Sequence, residues 1–159
     1  VPDKTRDWDG STALMGAAAN GHAACAEVLL AARADPQKSR SADDAWPLLL
    51  AAAAGHEVVI DLLLEQTAAQ GSQVNRAAPG ANHATPLTVS AQGGHAPVVR
   101  QLLEARAAPS LLADFGLSPL ILAAERGHAS CIEALLTARA EPNGARTDGA
   151  TPLIRAAAG

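Results

Sequence analysis

The side chains best suited to chemistry in this chain are five histidines and two cysteines. Four such groups converging at about 2.0–2.3 Å would hold zinc, and either type can act as base or nucleophile beside a partner within hydrogen-bond reach. The spacing argues against both roles. His22, His56, His95 and His128 each follow a glycine, at intervals of 34, 39 and 33 residues, and self-similarity at such a period marks stacked units. Equivalent residues of adjacent stacked helices lie about 8–10 Å apart, too far to share a metal. These four read as turn residues, and His83 as a solvent-exposed loop residue standing alone. Cys25 and Cys131 hold the same position three units apart, beyond disulfide reach. Two reduced core thiols are expected, which fits a reducing, intracellular compartment. With no phosphate loop, H-E-x-x-H, C-x-x-C or nucleophile elbow in the chain, no catalytic, cofactor-binding or metal site is expected, and no enzyme.

The elements that place these residues repeat with them. Thr12-Ala13-Leu14, Trp46-Pro47-Leu48, Thr85-Pro86-Leu87 and Ser118-Pro119-Leu120 each precede a Gly-His pair, and Thr151-Pro152-Leu153 opens a fifth copy. Thr or Ser supplies an N-cap oxygen and Pro fits the first helical position, so each such triplet starts a short helix. The glycine of Gly-His can end that helix in a left-handed conformation, and a second, antiparallel helix follows. Its apolar residues fall three, four, seven and eight positions beyond the histidine: Cys25, Ala26, Leu29 and Leu30 in the first unit, with equivalents from Val59, Val98 and Cys131 onward. This is one helical stripe. Burying each large aliphatic contributes about 1.5–3 kcal/mol, but a single unit cannot cover its own stripe, so units must stack.

Composition agrees. The chain has 39 alanines against two tryptophans, one phenylalanine and no tyrosine, which suits closely packed short helices. A net charge of −4 with only two lysines, Lys4 and Lys38, gives no basic footprint for nucleic acid. No apolar run approaches a membrane span and no signal peptide is visible. Val1-Pro2 falls in register with Asp35-Pro36, so the chain reads as a segment of something longer, with neither end clearly capped.

Taken together, the pattern D-x-x-G-x-T-P-L, Ala-Ala, Gly-His and a Leu-Leu-ending helix resembles the ankyrin repeat. The resemblance implies an all-α solenoid of helix-turn-helix units with hairpin-like loops, forming one domain over 1–159. Four full repeats span about 7–40, 41–79, 80–112 and 113–145, with a partial fifth at 146–159. A loop insertion of five residues is expected near 65–75. Three departures stand out. The His of the family's T-P-L-H is replaced by Met15, Leu49, Thr88, Ile121 and Ile154, so apolar packing is expected in place of the Thr–His hydrogen bond. The glycine that usually closes the second helix is Arg33, Arg106 and Arg139, which either remodels the turn or strains it by about 1 kcal/mol. Trp46 replaces the capping Thr and is expected to pack locally in the turn.

The resemblance further implies a protein-binding scaffold that uses its loop tips and the exposed side of each first helix. Mapped onto this sequence, the partner-binding candidates are Trp8, Asp9, Ser11 and Asn20; Asp43; Asn82; and Phe115, Leu117, Glu125 and Arg126. Trp8, Phe115 and Leu117 are large apolar groups at tip positions, and exposed aromatics are the residues most often found as interface anchors. Ala53 and Ala54 make the second repeat's inner face smooth, so the expected partner is a helix or extended segment bound through shape and apolar area. Permanent burial in a large assembly, or a regulatory role within a longer polypeptide, are the alternatives.

Overall fold

A computed structural model of the chain describes residues 10–67 and 73–144, together with Leu153 and Ala157. Among them are eight α-helices: α1 (Ala13–Ala19), α2 (Ala23–Ala31), α3 (Pro47–Ala54), α4 (Glu57–Thr67), α5 (Pro86–Gly93), α6 (Ala96–Glu104), α7 (Pro119–Glu125) and α8 (Ala129–Thr137). The first helices pack in the order α1, α3, α5, α7, and the second helices in the order α2, α4, α6, α8. Two columns of helices result. Most of the expected fifth repeat lies outside the described residues.

Side-chain caps start three of the four described first helices. The hydroxyls of Thr12, Thr85 and Ser118 accept hydrogen bonds from the backbone N–H groups of Met15, Thr88 and Ile121, at 3.2 Å in each case, which satisfies an otherwise orphaned helix donor. Trp46 holds the same position in α3 with no such bond. Gly21, Gly55, Gly94 and Gly127 all adopt left-handed backbone (φ 70–78°) at the ends of the first helices. There the N–H of the following histidine closes a six-residue turn, as in His56 N to Ala51 O at 3.0 Å.

Apolar packing does not substitute for the missing histidine everywhere. Thr88 Oγ1 accepts from the Thr85 backbone N–H at 2.7 Å and Met15 Sδ from that of Thr12 at 3.4 Å, each completing a reciprocal cap. Among the described residues only Leu49 and Ile121 replace it by burial alone, and Ile154 lies outside them.

The core runs between the columns from Leu14 and Ala18 through Leu48, Ile60, Leu87 and Val99 to Leu120 and Leu135. Cys131 is buried in it, and burial pushes its thiol pKa up, partly offset by the charge of Arg100. Cys25 corrects its expectation. It is exposed, because its position faces the preceding unit of the stack and no described helix lies on that side of α2. Trp46 is also a correction. Its indole is completely buried in the central cluster rather than in the turn, with the Arg76 guanidinium 4.5 Å from the ring centroid. Its Nε1–H has no hydrogen-bond partner.

The insertion is partly helical. Two extra residues lengthen α4 to Thr67, which bonds back to Leu63 O at 2.8 Å, residues 68–72 lie outside the described residues, and Gln73–Asn75 forms a 3₁₀ turn. Val74 takes the buried place that Ala34, Ala107 and Ala140 hold elsewhere. It stands eighteen residues beyond its turn histidine against their twelve, so the insertion is six residues rather than five.

Candidate functional site

The turn histidines are more than turn residues. In three successive pairs the imidazole of one unit lies on the Gly-His turn of the unit before it. Nε2 of His56, His95 and His128 stands 3.2, 3.1 and 3.1 Å from the carbonyls of Ala19, Ala53 and Gln92. A carbonyl can only accept, so Nε2 carries the proton in each. These bonds tie the exposed ends of the first helices into a ladder. Among the described residues no group of three or more His, Cys, Asp or Glu is placed to hold a metal.

On the other side of α3, α5 and α7 the chain folds into a narrow hairpin. Isolated bridges join Ala78 to Ala84 and Ala113 to Leu117. Successive tips touch. A β-carbon on Gly10 would meet the Ser41 backbone N at 3.1 Å, and one on Gly80 would meet Asp43 Cα at 2.8 Å. Asp114 donates its backbone N–H to Asn82 O at 3.0 Å, while His83 Nδ1 donates to the Asp114 carboxylate at 2.8 Å. His83 is therefore exposed, as expected, but not alone.

Within the second tip, Arg40 grips Asp43 with two bonds of 2.6 Å, and Asp43 Oδ1 accepts from the Ala45 N–H at 3.1 Å. The Arg40 side chain holds the Asp43 carboxyl below its ordinary pKa, with partial burial opposing and the Ala45 N–H assisting.

Four non-glycine tip residues occupy the left-handed region: Asp44, Asn82, His83 and Phe115, at φ 52–60°. For Phe115 such a conformation is uncommon, and residues held this way persist only where their surroundings fix them. Phe115 is also 67% exposed. Among the described residues the tips thus form a contiguous row, with the exposed aromatic side chain of Phe115 on the fourth.

Of the sequence-derived candidates, Trp8 and Asp9 lie outside the described residues. Ser11 and Asp43 are half-buried in tips one and two, and Asn82 and Phe115 are exposed on tips three and four. Leu117 is half-buried and committed to the hairpin through its bridge to Ala113, so it is not a projecting anchor. Asn20 is exposed but caps its own helix, its Nδ2 donating to Gly16 O at 2.8 Å. Glu125 is half-buried and Arg126 exposed at the end of α7, in line with exposed Ala53, Ala54 and Gln92 on α3 and α5. The described candidates thus fall in two groups: those at the tips and those at the exposed ends of the first helices. The sequence reading missed His83 and Asp114 as a pair. They stand 31 residues apart, and the repeat register placing both at tips was the available signal.

No curated protein matches the chain. A family model described as ankyrin repeats (3 copies) matches residues 14–111 and 90–159. Repeats of this kind generally serve as non-enzymatic protein–protein interaction modules, and no helix among the described residues is long and apolar enough to cross a membrane. With nearly the whole sequence covered by those matches, paired helices in two columns and a Gly-His turn in each of the four described units, the chain belongs to the ankyrin repeat family.

Proposed function

We propose that this chain is a scaffold that binds one partner protein across its hairpin tips and the adjoining exposed ends of its first helices. The observation that supports the reading is Phe115: 67% exposed, fixed in left-handed backbone, on a tip bound to its neighbour through His83 and Asp114. An aromatic on a backbone already held in its binding shape costs less to order on binding, and exposed aromatics are frequent interface anchors. The adjoining inner face is smooth at Ala53 and Ala54 and charged at Arg126. It suits a helix or extended segment bound through apolar shape.

The experiment is a pull-down from a lysate with the intact chain, partner identification by mass spectrometry, and affinity measurement with the purified partner. Phe115→Ala is expected to weaken that affinity roughly 10- to 100-fold, or about 1.4–2.8 kcal/mol, with the circular dichroism spectrum unchanged. Unaltered affinity in Phe115→Ala and in Arg126→Ala would remove the assignment.

A further inference from the structure

Neighbouring second helices meet along seams, and in α4, α6 and α8 the residue six positions beyond the turn histidine lies at the seam with the helix before it. In α6 that residue is Gln101, which crosses the seam: its Nε2 donates to Asp61 Oδ1 at 2.8 Å and to Glu57 O at 3.4 Å on α4. In α4 it is the half-buried Leu62. In α8 it is Ala134, too short to cross. A groove of about 490 Å³ is left open between α6 and α8, with Leu103, Ala134 and Ala138 half-buried in it and Ser130 and Thr137 at its edges. It is lined by described residues of two adjacent units, inside the stack.

The charges of the groove follow from the same gap. Arg100 stands five positions beyond its histidine, the place of Asp61 in α4. Asp61 is met by Gln101, whereas the exposed Arg100 guanidinium makes no ion pair or hydrogen bond among the described residues, not even with Glu104 one turn along α6. Its charge is close enough to Cys131 to oppose the effect of burial on that thiol, so the guanidinium lies toward the N-terminal half of α8. Exposed Glu104 marks the other end of the groove, and exposed Glu133 its far rim.

We propose that this groove docks a helical segment of a partner protein, its narrow apolar face seated on Leu103 and Ala134, an acidic residue pairing with Arg100 and a basic residue one turn along pairing with Glu104. Charge complementarity names the occupant. The unpaired cation and the carboxylate lie four residues apart on α6, the spacing at which an acid and a base are neighbours on a facing helix. From Ser130 to Ala138 the groove follows eight residue steps of α8, about 12 Å. That length accommodates the two turns that carry apolar contacts at i, i+3, i+4 and i+7. The groove is separate from the tip surface, and its occupant does not depend on the tip reading.

A phage-displayed library of helix-forming peptides of about 15 residues, long enough to hold a helix, selected on the intact chain, tests it. Enriched sequences are expected to carry an acidic and a basic residue four apart beside apolar residues. Ala134→Gln, which fills the seam as Gln101 does, should weaken the binding of those peptides about tenfold or more, and Arg100→Glu should invert the charge preferred at the facing position. Phe115→Ala should leave their affinity unchanged, so failure of the tip reading would be seen separately. Arg100 is exposed and Ala134 half-buried at an open groove, and an unchanged circular dichroism spectrum confirms that both variants fold. No enriched sequence, equal affinity for Ala134→Gln, or a charge pattern indifferent to Arg100→Glu would each overturn the proposal. So would self-association of the chain abolished by Arg100→Glu, which would assign the groove to a second copy.

Discussion

The imidazole of His95 lies on Gly55, so close that a β-carbon on that glycine would fall 2.5 Å from Nδ1. The same relation joins His56 to Gly21 and His128 to Gly94. It explains why glycine and histidine recur together: the glycine both permits the left-handed turn and leaves room for the next unit's ring. Gly127 has the same backbone (φ 71°) but nothing within 4 Å of the site of a β-carbon.

These two glycines separate the two roles. Gly127→Ala is expected to cost only the left-handed strain, about 1–2 kcal/mol. Gly55→Ala should cost about 1 kcal/mol more, because the His95 ring must move and its bond to Ala53 is lost. Urea denaturation of both variants checks this, and equal losses would show that the ring contact contributes nothing.

Trp46 opposes two effects of different size. Trp46→Thr would restore a capping oxygen worth about 1 kcal/mol, but it empties a fully buried indole site, a loss of about 3–5 kcal/mol for such truncations. Net destabilisation of about 2–4 kcal/mol is expected. Trp46→Phe should cost less than half as much, since it keeps most of the volume and removes an N–H with no partner. Thermal melts of the two variants decide the order.

Arg33, Arg106 and Arg139 close the second helices at φ 62–67°. The following residue donates back across six residues, as Ala107 N does to Leu102 O at 2.9 Å, so the turn is the one glycine normally makes and the strain is tolerated. Arg106→Gly is expected to stabilise by about 0.5–1 kcal/mol, the left-handed strain relieved less the greater backbone entropy of glycine. Denaturation at high salt, where the arginine's attraction to the helix dipole is screened, measures it. A loss of stability under those conditions would contradict the assignment.

Acid should release the second tip. Because Arg40 holds the folded-state pKa of Asp43 below the ordinary 3.8, the pair's contribution is complete above that value and is lost as pH falls through the lowered folded pKa. Asp43→Asn should therefore be less stable than the parent at neutral pH, with the gap narrowing below pH 3.8. A gap constant from pH 7 to pH 2 would show that the carboxylate's charge plays no part.

What could be read from residues alone was whatever closes within one unit. Thr12, Thr85 and Ser118 bond three residues ahead, and Gly21, Gly55, Gly94 and Gly127 turn the chain locally. Helix starts, turns and the stripe in each second helix were legible for that reason, and so was the family. Contacts between units were not, although the same period prepares them. His95 reaches Ala53 across 42 residues, Arg76 reaches Gln37 O across 39, and His83 reaches Asp114 across 31. Cys25 and Cys131 hold identical positions in the pattern, yet one is exposed and the other buried. The local sequence determines which face of a helix is apolar. Only the stack decides whether anything lies against it, because burial belongs to the neighbour as much as to the residue.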